Sequence, residues 1–313
     1  MLSRIAENLF WMGRYVERME NTSRLLDVNY HATLETTAVL EAQWEPLLEI
    51  THTQEGYLKH FQSVEAYPVA LWLASHEGNP SSVLSSLTYA RENARSLRER
   101  ISTEMWESLN SAYLDLRSRG TLMDEGSLHR FCNSTRDASH LFFGIAEATL
   151  PRDQGWYFLK AGRLLERADN VARLLATFYV TYRSGPNASL ILTHHYWTGV
   201  LKSVSAFEAY LKEYQGALEA HNIAEFLILS ESFPRSVAYS LQSLESCLEH
   251  IAEDSPEVEQ AVLRELGWLR AQLQYAQNVT EILEGKRINL KGVLESLGEI
   301  SASIKRTYFA ARG

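Results

Sequence analysis

Apolar residues recur along most of the chain at spacings of three and four. Leu2, Ile5, Leu9, Met12, Val16, Met19 and Leu26 step along one side of what this spacing predicts to be a long first helix, with Ser3 as its expected N-cap. Alternating runs bounded by hairpin dipeptides, the mark of paired strands, are almost absent. Breaks fall at Gly78-Asn79-Pro80, Gly120, Asp124-Glu125-Gly126-Ser127, Leu150-Pro151-Arg152-Asp153, Ser184-Gly185-Pro186-Asn187, Ser255-Pro256 and Gly285. The pattern predicts an all-α fold of about ten helices, antiparallel neighbours being joined by short turns.

An internal repeat divides this pattern. Gly13-Arg14-Tyr15-Val16-Glu17-Arg18-Met19-Glu20-Asn21-Thr22-Ser23-Arg24-Leu25-Leu26 matches Gly162-Arg163-Leu164-Leu165-Glu166-Arg167-Ala168-Asp169-Asn170-Val171-Ala172-Arg173-Leu174-Leu175, with eight of 14 pairs identical at an offset of 149. A second block pairs Trp44, Leu48, Glu55, Tyr57, Leu58 and Lys59 with Trp197, Leu201, Glu208, Tyr210, Leu211 and Lys212 at an offset of 153. A third pairs Pro80, Ser82, Val83, Ser86 and Leu87 with Pro234, Ser236, Val237, Ser240 and Leu241 at an offset of 154. Three collinear blocks whose offset drifts slightly are what loop insertions leave in a duplicated module. The expected organisation is two helical-bundle modules, 1–150 and 151–313, packed as one compact unit.

Within the first block the polar residues share a face. At about 100° per residue, Arg14, Glu17, Arg18, Asn21 and Arg24 occupy an arc of about 120°, and Arg163, Glu166, Arg167, Asn170 and Arg173 repeat it. A solvated helix face laced by ion pairs is the ordinary explanation of such a stripe. Here, however, the identities concentrate on the polar arc while the apolar side drifts: Tyr15 answers to Leu164 and Met19 to Ala168. Two explanations stand side by side: a buried network that locks helices together, and an anion site in which arginines grip a carboxylate or phosphate.

Composition narrows the field. The 313 residues, 45% hydrophobic and 11% aromatic, supply a full core, and the net charge of -9 gives no global attraction to nucleic acid. The two cysteines, Cys132 and Cys247, form no paired motif, which suits a reducing cytoplasm. Neither a signal-peptide pattern nor a membrane-length apolar run is read, so no membrane association is expected.

The doubled GRxxERxxNxxR context resembles the bacterial alpha-E family, an all-helical domain with a hallmark Glu-Arg motif, and the resemblance covers essentially the whole chain. Ala90-Arg91-Glu92-Asn93-Ala94-Arg95, followed by Trp106-Glu107-Ser108-Leu109-Asn110, also resembles the family's first module. The second half has Glu245-Ser246-Cys247 where Arg91, Glu92 and Asn93 would align, so any site is expected in the first half. The resemblance implies a setting: alpha-E proteins are encoded with, or fused to, circularly permuted ATP-grasp ligases, beside transglutaminase-like proteins and an Ntn-hydrolase of the Anbu type. The implied role is that of a partner in peptide or amide synthesis or modification, with an enzyme in its own right and a structural scaffold as the alternatives. No catalytic residue is carried over.

Other chemistries find little footing. Glu284-Gly285-Lys286-Arg287 lacks the first glycine of a P-loop, so ATP binding by that route is not expected. Glu49-Ile50-Thr51-His52 is a single ExxH and Asp137-Ala138-Ser139-His140 a looser relative, short of the paired motifs a di-iron bundle needs; no metal and no cofactor is expected. His194-His195 is expected to start a helix in a capping or packing role. The basic, aromatic tail Lys305–Arg312 is expected to fray.

Overall fold

A computed structural model describes residues 3–35, 44–118, 125–184, 190–216, 218–253, 260–285 and 288–310. Among the described residues it contains fifteen α-helices and no strand. The chain divides into two units, Trp11–Pro151 and Met1–Phe10 with Arg152–Gly313. The expected breaks at Gly120, Gly185-Pro186-Asn187 and Ser255-Pro256 lie outside the described residues.

The unit Trp11–Pro151 holds most of α1 (Ser3–Glu35), then α2 (Glu45–Ile50), α3 (Gln54–Tyr57), α4 (Ala66–Ala74), α5 (Val83–Ser96), α6 (Thr103–Ser118) and α7 (Glu125–Thr149). Ser3 is already helical in α1. Helix α6 lies between α5 and α7. The apolar spacing of α1 buries Met12, Val16, Met19 and Leu26 completely, and its polar face is also turned inward: Glu17 and Glu20 are fully buried. A helix enclosed on all sides must satisfy its charges inside the protein.

The second unit holds the first residues of α1 with α8 (Gln154–Ser184), α9 (Leu190–Ser203), α10 (Phe207–Glu213), α11 (Ala220–Leu229), α12 (Val237–Ala252), α13 (Gln260–Gln274), α14 (Val279–Glu284) and α15 (Leu290–Ile304). Asp153 starts α8, its Oδ1 accepting from the backbone N–H of Gly155 at 2.8 Å. Helix α8 packs on α11, α12 and α15. The carbonyl of Phe10 lies so close to α8 that a Cβ on Gly162 would collide with it. The glycine of the repeated motif is therefore a backbone-contact residue.

Two turns are built alike, one in each unit. His52 and Ser205, 153 positions apart, are the non-glycine residues with positive φ among those described, at 52° and 54°. The Thr53 N–H donates to the Leu48 carbonyl at 2.9 Å, and the Ala206 N–H to the Leu201 carbonyl at 2.8 Å. The following aromatic residues repeat the geometry. Tyr57 stacks on Phe61 (4.9 Å) and meets Trp72 edge-on (5.9 Å). Tyr210 stacks on Tyr214 (4.9 Å) and meets Phe226 edge-on (5.8 Å). The starts of α5 and α12 correspond too: Ser82 Oγ accepts from the Ser85 N–H at 3.1 Å, and Ser236 Oγ from the Tyr239 N–H at 3.0 Å.

Besides Ser3, three expectations need correction. About ten helices become fifteen because turns such as that at His52 interrupt segments that periodicity reads as continuous. His194 and His195 do not begin α9; they are exposed within it. Lys305–Phe309 does not fray: it continues α15 as a π-helical turn, with Phe309 5.4 Å from Phe10 and Tyr308 5.3 Å from Phe158. These ring contacts anchor the segment against terminal fraying.

Candidate functional site

Helix α1 carries the first motif as one inward-facing row. Arg14, Glu17 and Asn21 are buried and Arg18 half-buried. The Arg14 guanidinium carbon lies 5.1 Å from the Trp11 ring centre and that of Arg18 5.8 Å from Tyr15, so both cations rest on aromatic faces of their own helix. Arg24 takes another partner. Its Nε donates to Glu20 Oε1 at 2.9 Å, and the fully buried Glu20 carboxylate also accepts from Ser139 Oγ at 3.0 Å. His140 Nε2 stands 3.3 Å from the same Oε1. Helix α7 thereby adds two polar groups to a buried charge that Arg24 of α1 already pairs.

In the second copy Glu166 and Arg167 are buried, while Arg163 and Asn170 are half-buried. Arg167 Nη1 donates to the Pro234 carbonyl at 3.1 Å. That joins the arginine of one repeated block to the turn of another, two residues before the N-cap Ser236 of α12. Arg173 donates through Nε and Nη2 to the two oxygens of Asp169, at 2.7 and 3.0 Å. The last arginine of each motif is thus held by the acid four residues earlier, Glu20 or Asp169. These two acids lie outside the arc counted from sequence. The available signal was their chemical equivalence at matched positions, with i,i+4 spacing to an arginine.

Arg91, Glu92 and Asn93 sit on α5, apart from the network around Glu20 in the interactions they make. Arg91 Nε donates to Asn110 Oδ1 of α6 at 2.8 Å and its Nη1 to Glu92 at 2.7 Å. Its guanidinium carbon also lies 5.4 Å from the Trp106 ring centre and 4.7 Å from that of Tyr113. Arg95 pairs with the other Glu92 oxygen at 2.7 Å. Asn93 is half-buried, and its carbonyl accepts from Ser96 Oγ at 2.8 Å. The segment noted in sequence is therefore a clamp between α5 and α6, in which one guanidinium is shared by an amide, a carboxylate and two rings.

Farther along α1, Arg136 Nη1 of α7 donates to Oδ2 of the buried Asp27 at 2.8 Å. The donor atoms of Asp27, His31 and His129 lie within 4.8 Å of one another. Burial pushes both cysteine thiols up, Cys247 to about 11, so neither is prepared as a nucleophile. Among the described residues no helix is long and apolar enough to cross a membrane.

Helices throughout, with Glu-Arg pairs turned inward at matched places on two long helices, define an all-helical protein organised around a doubled Glu-Arg motif. The chain belongs to the Alpha-E family, described as a predicted alpha-helical domain with a conserved ER motif, which matches residues 1–309. Similar proteins include an uncharacterised protein of Mycobacterium bovis, 25% identical over 271 residues, and one of Mycobacterium tuberculosis (strain H37Rv), 24% identical over 271 residues. Each alignment covers 80% of this chain but 30% of the relative, so the chain spans under a third of the length of these curated relatives. No solved structure matches the chain.

Proposed function

We propose that this protein is an accessory module of a circularly permuted ATP-grasp ligase in a bacterial, cytoplasmic peptide or amide synthesis or modification system. The carrying observation is the length of its relatives: the stretch similar to this chain is 30% of proteins that are otherwise made of further sequence. A module joined to further sequence in its mycobacterial relatives is suited to act beside other domains, and the family's expected fusion partner is the ATP-grasp ligase. Transglutaminase-like and Ntn-hydrolase proteins are the further pathway members this reading anticipates. The doubled stripe serves as an internal clamp rather than a reaction centre: Glu17 is fully buried, and Arg167 is occupied by the Pro234 carbonyl. The matched turns at His52 and Ser205 support descent of the two halves from one duplicated module.

The test is to purify the chain and the ATP-grasp protein of the same genome, then follow co-elution and ATP turnover separately and mixed. The expected result is no turnover by the chain alone, and a complex or a changed ligase rate on mixing. ATP turnover by the chain alone would refute the accessory role, as would mixing with neither complex nor rate change.

A further inference from the structure

Two imidazoles and one carboxylate converge at the end of α1 that lies against α7. His129 Nδ1 is 2.7 Å from Asp27 Oδ1, His31 Nε2 is 3.0 Å from His129 Nδ1, and His31 Nε2 is 3.6 Å from Asp27 Oδ1. Asp27 and His31 are four residues apart on one helix face, and His129 comes from a segment 98 positions beyond His31. The carboxylate is nearly enclosed, at 6% exposure, whereas the His31 and His129 side chains are 47% and 40% exposed. Exposed imidazoles are ordinarily solvated separately; here both bring a ring nitrogen to the same carboxylate oxygen.

We propose that Asp27, His31 and His129 bind a first-row divalent transition cation, of which Zn2+ best suits the donor set. Three donors about 2.1 Å from such an ion, in neighbouring coordination positions, lie about 3.0–3.4 Å from one another, and the three separations here surround that range. Two imidazole nitrogens and one carboxylate oxygen are intermediate donors, suited to zinc and its neighbours rather than to magnesium or calcium. One shared proton satisfies these three atoms poorly. If it sits on His129 Nδ1, it must serve both Asp27 Oδ1 and His31 Nε2. A cation gives every lone pair its own bond.

The surroundings fit the same role. Arg136 holds the other carboxylate oxygen, Oδ2, at 2.8 Å and leaves Oδ1 turned to the imidazoles. Asn133 Nδ2 lies 2.7 Å from His129 Nε2. Turning that amide over exchanges its nitrogen and oxygen, and the oxygen would then accept from Nε2–H and leave Nδ1 bare for a metal. Fixing the far nitrogen of a ligating histidine through such a hydrogen bond is the usual support of a metal site. Exposure of both rings leaves the remaining coordination positions to water or to an incoming oxygen or nitrogen donor, the arrangement of an open rather than a structural site.

The test is titration of the chelator-treated, dialysed full chain with Zn2+ by calorimetry and with Co2+ by visible absorption. One equivalent should bind with a Kd of micromolar or below, and His31→Ala and His129→Ala should each weaken it by at least about ten-fold. Asn133→Ala should weaken it without abolishing it, while His194→Ala should leave it unchanged. Circular dichroism identifies a variant that does not fold; His31→Ala, which removes an exposed ring, is the variant that decides. No saturable binding, or equal affinity in wild type and folded His31→Ala, would overturn the proposal.

Discussion

Replacing Gly162 with alanine should destabilise the protein although alanine is the better helix former. In an exposed helix interior, Gly→Ala gains about 0.5–1 kcal/mol from reduced backbone freedom in the unfolded chain. At Gly162 the new methyl would occupy the space of the Phe10 carbonyl, which is backbone and cannot swing aside as a long side chain would. The first turns of α1 would have to withdraw from α8, carrying Phe10 away from Phe309. Forcing a methyl into a closed contact costs about 1–3 kcal/mol, more where backbone must move, so the net effect is a loss of about 2 kcal/mol. Gly298 of α15, in the same unit, is exposed and a Cβ there meets nothing within 4 Å. Gly298→Ala should accordingly stabilise by about 0.5–1 kcal/mol. For a domain of this size these values correspond to a melting temperature lowered by about 4–8 °C and one raised by about 2 °C, read by calorimetry or circular dichroism. A Gly162→Ala protein melting at or above wild type would refute the close-approach argument, as would an equal loss from Gly298→Ala.

The two terminal arginines of the motifs should differ. Arg24→Ala leaves the enclosed Glu20 carboxylate short of its cation and should cost about 3 kcal/mol. Arg173→Ala removes one partner of Asp169, which is 17% exposed, and should cost no more than about 1 kcal/mol in a urea titration; equal losses would show that burial does not set the cost. Neither cysteine should react with a thiol reagent at pH 8 in the folded protein, and both should react once denaturant exposes them. Rapid labelling of either without denaturant would show that its burial is not maintained in solution.

The sequence made the long helices plain and the turns obscure, for different physical reasons. Helices α1 and α8 carry a sustained apolar period over many turns, a signal that survives local exceptions. The turn at His52 has no glycine or asparagine at its left-handed residue, so no local punctuation marks it. Its counterpart at Ser205 is equally unmarked, and the likeness emerges only when the two are compared. The polar arc was legible as a face, but its satisfaction was not. Glu20 is completed by Ser139 and His140, more than a hundred positions away, and spacing along one helix carries no information about a second helix. Arg91 was visible beside the Trp106–Asn110 segment because α5 and α6 are adjacent in sequence. The convergence of His31 on His129 had no such advantage, since neither histidine belongs to an ExxH motif.

What the two halves share and what they do not share have different physical characters. In the second half Gly162 admits a backbone contact and Arg167 holds a turn carbonyl, and in both halves the last arginine is fastened to the acid one turn before it. Such interactions preserve a fold whatever reaction it serves, and they explain why the polar positions stay fixed while Tyr15 and Leu164 diverge. The positions matching Asp27 and His31 at the motif's offset are Ala176 and Val180, which offer neither a carboxylate nor an imidazole. Packing alone gives no reason for one half to place a buried carboxylate beneath two exposed imidazoles while the other uses small apolar residues. A chemistry carried by one half alone would give one. On the proposed cation site, the first half is the place to test for binding, and in the same proposal the stripe on α1 holds that half in shape.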